Sequence, residues 1–167
     1  DDALEVMAPD DIRKIRKMIK GEKWDSFEKG NGGPVTDFNY LYAAARLGII
    51  KEIYWIIPYK LFDNIPLAGV EIKKLLKEEG RGFLAGEVDF MSMNEGCLSG
   101  ILSETRVNIC SSRTMPNITD PVVLSIDVSY FPVFADEYSV SKLRALKWFL
   151  DEITFRKFLR IEHADVS

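Results

Sequence analysis

A chain of 167 residues is long enough for one domain with a full core, and a second domain is not expected. An apolar fraction of 47% with 29% charged residues belongs to a globular protein rather than a disordered one. The net charge of −4 offers no basic field to nucleic acid or an anionic membrane, and no apolar run approaches the roughly 20 residues that span a bilayer.

Pro9-Asp10-Asp11 opens a helix, with proline near its start and acids in its first turn. Ile12, Ile15, Met18 and Ile19 recur at helical spacing, and Gly21 stops the run. The basic cluster Arg13, Lys14, Arg16 and Lys17 reads as the solvated face of that helix. Residues 29–34 carry three glycines and a proline and form a loop. Thr36 is the expected N-cap of a second helix that reaches Leu47 and ends at Gly48. Ile49 to Ile57, with Tyr54 and Trp55, then reads as a strand closed by Pro58.

A third helix is expected from Leu67 to Glu79, with Val70, Ile72, Leu75 and Leu76 turned inward and Gly80 as its stop. The pattern weakens from Arg81 to Ser112. There Phe83-Leu84 and Val88-x-Phe90 read as short strands of a hairpin, and Arg106 to Cys110 alternates like a half-buried strand. Thr114 to Asp120 is a loop, and the apolar-rich run Val122 to Ile126 is a strand. Ser139 or Ser141 caps an amphipathic helix to about Leu150, with Leu143, Leu146, Phe149 and Leu150 on one face. Phe158 to Ile161 reads as the last strand.

Helices and strands roughly alternate. The expectation is a single α/β domain over residues 1–167, three layers (α/β/α) deep, with a largely parallel central sheet. Residues 81–112 are the irregular part or an antiparallel insertion. Cys97 and Cys110 are too few for a disulfide scaffold and lack a metal-finger spacing, so reduced structural cysteines in a cytoplasmic protein are expected. Asn117-Ile118-Thr119 fits the N-glycosylation acceptor pattern, which carries weight only in a secreted protein. The opening at Asp1-Asp2, without an initiator Met or a signal-like apolar region, fits a processed secreted protein or a trimmed sequence.

The most explicit chemical signal is the segment from Pro121 to Pro132. Its apolar run ends in Asp127, Ser129 follows two positions later, and Tyr130-Phe131-Pro132 breaks the pattern. An unpaired acid buried behind five such residues would cost several kcal/mol. Asp127 is therefore expected at a strand end, facing a cation, a metal or helix N-terminal amides, where open α/β sheets hold their ligands. The plain alternative is an aspartate that caps the following turn.

The string Leu124-Ser-Ile-Asp-Val-Ser-Tyr-Phe-Pro132 resembles the Ser-x-Asp-x-Asp motif of the arginase and deacetylase superfamily, closest to an arginase-like branch with an Ile-Asp-Leu-Asp-Tyr-Phe type of string. Thr36-Asp-Phe-Asn-Tyr-Leu, Ile53-Tyr-Trp-Ile-Ile-Pro58 and Thr114-Met-Pro116 are similar to segments of that branch, so the likeness spans roughly residues 35 to 132. The resemblance implies an arginase-like sheet and a divalent metal, manganese or zinc, that activates water for attack on a guanidino, amidine or amide carbon. It makes Asp127 a metal ligand. Ser129 stands where the second aspartate belongs, as a substitute or supporting group. The family's Asp-x-His-x-Asp string is missing, and Asp1-Asp2-Ala-Leu matches only its tail, with Asp2 in the last aspartate position. The alternative for Asp2 is an exposed acid at the start of the chain.

His163 is the only histidine, and with Asp165 it offers a metal-ligand pair or an acid–base dyad. The alternative is an exposed side chain close to a fraying end. A single histidine excludes a three-His or two-His ligand set within this chain. No Gly-x-Ser-x-Gly elbow, phosphate-binding loop or Gly-x-Gly-x-x-Gly fingerprint is present. Gly30-Asn-Gly-Gly33 follows no apolar strand and reads as a plain loop. Trp55 reads as core, and Met91, Met93 and Met115 as packing or pocket lining.

Three functional expectations result. One is a metal-dependent hydrolase of C–N bonds other than peptide bonds, with a small-molecule substrate, metal ligands Asp127 and Asp2, and Ser129, Asn39 and His163 around them. Another is a degenerate, non-enzymatic binding or structural protein of the same fold, with no metal and no substrate. An unrelated α/β domain that holds a small ligand at Asp127 is a third. Homo-oligomerisation stays open in each.

Overall fold

The computed structural model describes residues 7–22, 33–36, 39–57, 62, 64–79, 84–102, 104–126, 140–156 and 160–166. Helix α1 spans Pro9–Lys20, with proline in its first turn, Asp10 and Asp11 beside it, and Gly21 as its C-cap. The acids lie at the positive end of the helix dipole and Lys17 and Lys20 at the negative end. Ile12 and Ile15 are buried, whereas Arg13, Lys14, Arg16 and Lys17 are exposed, as the amphipathic spacing predicts. Arg13 pairs with Asp10 and Lys14 with Asp11, one turn apart on the wet face.

Helix α2 covers Tyr40–Arg46 and is shorter than its sequence suggests, because Asn39 rather than Thr36 takes the N-cap position. Gly48 ends it with φ +74°. The Gly48 amide donates to Ala45 O and the Ile49 amide to Ala44 O, which together form a Schellman motif. That motif uses up Ile49, so strand β1 runs only over Glu52–Ile56 and not from Ile49. Helix α3 spans Ile65–Glu79. Its buried stripe is Ala68 and Ile72 with half-buried Leu76, at i, i+4, i+8. Val70, expected inward, is 65% exposed, and Leu75 also faces out.

The region expected to hold two short strands before Ser92 instead forms helix α4, Leu84–Val88, and Phe90 is left on a turn at 89% exposure. Strands β2 (Ser92–Asn94), β3 (Cys97–Leu102) and β4 (Thr105–Cys110) follow, and with β1 they build a four-stranded sheet in the order β1-β4-β3-β2. β2 pairs antiparallel with β3 across Glu95-Gly96. Both of those residues have positive φ (49° and 82°), as a type I′ hairpin turn requires. β3 and β4 are joined by residues 103 and 104 alone, a link that only antiparallel neighbours can use.

β1 and β4 run parallel. Arg106 near the start of β4 meets Glu52 at the start of β1, and the Ile57 amide just past β1 donates to Cys110 O at the end of β4. The sheet is therefore mixed, not largely parallel as expected from the sequence, because two-residue links force two of its three pairings to be antiparallel. A second sheet pairs β5 (Val122–Ile126) with β6 (Ile161–Val166) in parallel. The protein is thus mixed α/β.

The chain divides into two compact units, Asp1–Ile53, Lys73–Met91 and Gly100–Val107 in one, Tyr54–Ile72, Ser92–Ser99 and Asn108–Ser167 in the other. In the first, Met7, Ile12, Ile15, Tyr42 and Ala43 form a core edged by Ile19, Val35 and Leu47. Gly100 of this unit lies against Met91, where an added Cβ would stand 2.6 Å from Met91 Cγ and 3.1 Å from its Cα. In the second unit, Cys97, Cys110, Met115, Ala145, Phe149 and Ile153 form a core with Tyr54, Ile56, Ile118 and Leu124 packed against it.

Cys97 and Cys110 are joined as a disulfide with Cα atoms 4.5 Å apart, so the expectation of two reduced thiols is corrected. They lie at the open ends of β3 and β4, equally far from the link between the strands, so the hairpin itself sets them face to face. Closure of a loop with a sequence separation of 13 stabilises by about 3 kcal/mol in the chain-entropy account.

Two stability measurements check this packing. Gly100→Ala should lose about 1–3 kcal/mol in urea unfolding, since Met91 is buried and its Cα has no room to yield. The double variant Cys97→Ala/Cys110→Ala should lose about 3 kcal/mol against the oxidised wild type. Equal midpoints for oxidised and reduced wild type would show that the bond does not form in solution.

Candidate functional site

Strand β5 is the apolar run that precedes Asp127 in the sequence. Val122 and Leu124 are half-buried, whereas Val123 is 64% exposed and Ser125 faces solvent. This alternation lets Leu124 pack on the second unit's core. The chain then returns through helix α5, Lys142–Asp151, and one π-helical turn, Glu152–Arg156, before β6. A strand, a helix and a parallel strand make a βαβ unit, whose ligand sites lie outside the carboxyl ends of the strands.

Ser141 caps α5, and its Oγ accepts from the Arg144 amide at 3.3 Å. Ala145, Phe149 and Ile153 are the buried stripe, with Leu146 and Leu150 at its edge. Leu143, expected on that stripe, is 77% exposed in the first turn of the helix. Arg144 covers the Trp148 ring at 5.0 Å, and Lys147 pairs with Asp151 at 2.7 Å, so the outer face is charged and solvated. Past Phe149 the helix widens, and Thr154 Oγ1 donates back to Leu150 O.

The last described strand spans Ile161–Val166, and Phe158, the expected start of that strand, lies outside the described residues. His163 thus belongs to a paired strand rather than a frayed tail, in register with Val123. Asp165 is in register with Ser125, and Val166 with Ile126, the last residue of β5. A bulge between Val122 and Val123 sets this register after the Val122 amide has bonded Arg160 O. The register thus places Asp165 one position short of the strand ends, next to the point where β5 hands over to Asp127 in the chain. Asp127, Ser129 and Asp2 lie outside the described residues.

Asn39 is described, and its side chain serves the loop before α2. Its Oδ1 accepts from the Thr36 amide at 2.9 Å and its Nδ2 donates to Pro34 O at 3.2 Å. Both amide functions brace the turn that leads into α2. Among the described residues, no three His, Cys, Asp or Glu come together as a metal would require.

Two other features of the described residues are an apolar hollow and a polar turn. A hollow between α1 and α2 is lined by Ile15, Ile19, Ala43, Ala44 and Leu47, with Tyr40 at its side. Its walls are almost wholly apolar, without the convergent polar groups that orient a ligand. The turn after β4 holds a closed polar pair, Ser111 and Thr114. Ser111 N donates to Thr114 Oγ1 at 2.9 Å, Thr114 N donates to Ser111 Oγ at 3.1 Å, and the hydroxyls lie 3.0 Å apart. Buried Ser111 therefore satisfies the turn beside Cys110 rather than serving as a nucleophile.

Nothing in the sequence pointed to the disulfide as such. The usable signal was the equal distance of Cys97 and Cys110 from the link at residues 103 and 104. No family model, curated protein or solved structure matches the chain.

Among the described residues, one carboxylate, Asp89, has a perturbed acidity. The Lys77 ammonium hydrogen-bonds Asp89 and holds its carboxyl below the usual aspartate range, with Lys73 adding a smaller pull. Lys73 Nζ also donates to Asp89 O at 3.0 Å, so both lysines tie α3 to the turn after α4. A lowered folded-state pKa favours the fold above the unfolded pKa and loses that favour as pH falls through the folded one. NMR titration should find Asp89 ionised below its ordinary range, and Lys77→Met should bring it back toward that range.

Proposed function

We propose that the carboxyl end of the β5–β6 pair is the functional site, and that the chain acts there as a metal-dependent hydrolase of a C–N bond, of the arginase and deacetylase kind. One observation carries the reading. β5 ends at Ile126 in parallel register with Val166, Asp127 is the next residue in the sequence, and the carboxyl ends of parallel strands are where α/β folds bind ligands. The arginase-like assignment of the fold belongs to the same proposal.

The donors on offer are Asp127 and Asp2, both carboxylates, with the Ser129 hydroxyl beside Asp127 in the chain. Oxygen donors of this kind suit manganese better than zinc. The metal's chemistry in such a site is to lower the pKa of bound water and polarise the scissile carbon's substituent. A second reading is favoured by one residue. Ser129 puts a neutral hydroxyl where the motif has a carboxylate, which suits a relative that keeps the sheet and binds without catalysis.

Thermal unfolding with and without manganese or zinc separates the two. A site that binds only the folded state gains about 2.7 kcal/mol at a hundredfold excess over Kd. At about 2–4 °C per kcal/mol for a chain of this size, the hydrolase reading expects a clear rise in Tm, absent in Asp127→Ala. No shift for the wild type would leave the non-enzymatic reading standing.

A further inference from the structure

Between the Ser111–Thr114 turn and β5 the chain runs through Met115 to Pro121 without forming helix or strand. Its side chains are sorted. Met115 is buried, Ile118 packs against the core around Cys97 and Cys110, and Asn117 and Thr119 are exposed. The segment is pinned at Met115 and Ile118 and presents an asparagine and a threonine two residues apart to solvent. That spacing is the N-glycosylation acceptor pattern, with Ile118 between them and Asp120 after them, so no proline interferes.

A second, independent observation comes from the same unit. The Cys97–Cys110 disulfide marks a chain that folds where disulfides form and persist, and the secretory lumen is such a compartment. Asparagine-linked glycosylation belongs to secreted proteins.

We infer that Asn117 is a glycan attachment site, and that this chain is made in an oxidising compartment holding a lipid-diphosphate-linked oligosaccharide donor. In the step, Asn117 Nδ2 forms a bond to the anomeric carbon of the donor sugar as that carbon's bond to the diphosphate oxygen breaks. The amide gives up one proton to a base of the transferase, and the electron pair of the broken bond leaves with the lipid diphosphate. No oxidant or reductant enters. The exposed position of Asn117 leaves room for the bulky product, and the pinned Ile118 keeps the core undisturbed.

The test uses the protein isolated from the cells that naturally make it, digested without reduction and analysed by mass spectrometry. The peptide containing Asn117 should carry a hexosamine-linked glycan, and glycosidase release in heavy-oxygen water should leave a labelled aspartate there. Asn117→Gln and Thr119→Ala, both at exposed positions, should each abolish the glycan completely, whereas Thr119→Ser should retain it. A bare Asn117 in that protein overturns the assignment. So does finding Cys97 and Cys110 as free thiols in the same sample, since the compartment argument then fails.

Discussion

The pairing of Cys97 with Cys110 is the constraint around which the sheet is arranged. β3 and β4 are the two inner strands in the order β1-β4-β3-β2, and the disulfide closes their open end while residues 103 and 104 close the other. A hairpin fixed at both ends cannot slip in register, and a slip of one residue would turn each side chain to the other face. Leu98, Leu102, Val107 and Ile109 stay buried for that reason. β4 then presents its far edge to β1, and the Ile57 amide finds Cys110 O. The sulfur atoms also join the core built by Met115, Phe149 and Ile153, so one bond serves both backbone and packing.

Legibility of the fold followed the strength of the local signal. α1 could be read almost residue by residue, because proline, first-turn acids, apolar spacing and glycine all agreed. α3 was placed correctly but turned about its axis. Val70 and Leu75 are as apolar as the residues that are buried, and apolarity alone cannot tell which stripe faces the core. The hairpin turn at Glu95-Gly96 went unread within the stretch expected to be irregular or an antiparallel insertion, since glutamate is not a residue that announces positive φ. Phe90 looked like strand and is an exposed turn residue, a case of composition overruled by tertiary context.

The candidate site was legible in a different sense. The apolar run before Asp127 gave strand β5 with its limits intact, and the position of the acid after that strand follows directly. A last strand was read close to Ile161, but its pairing with β5 was not legible, because it joins residues some forty positions apart in the chain and no local pattern encodes it. The local work of Asn39 was not legible either. An amide with a donor and an acceptor is a natural brace for a proline-containing turn, and only the turn's geometry brings Thr36 N and Pro34 O to it.

The two sheets also differ in when they can form. β2, β3 and β4 are joined by two-residue links, so each pairing closes a short loop at little entropic cost. β5 and β6 meet only after the intervening helix has brought distant residues together, and such pairings are slow to form. The antiparallel strands are thus fitted to act as an early nucleus. The edge that carries the proposed site is completed late and, by the same reasoning, waits longest with its strand pairing groups open to water.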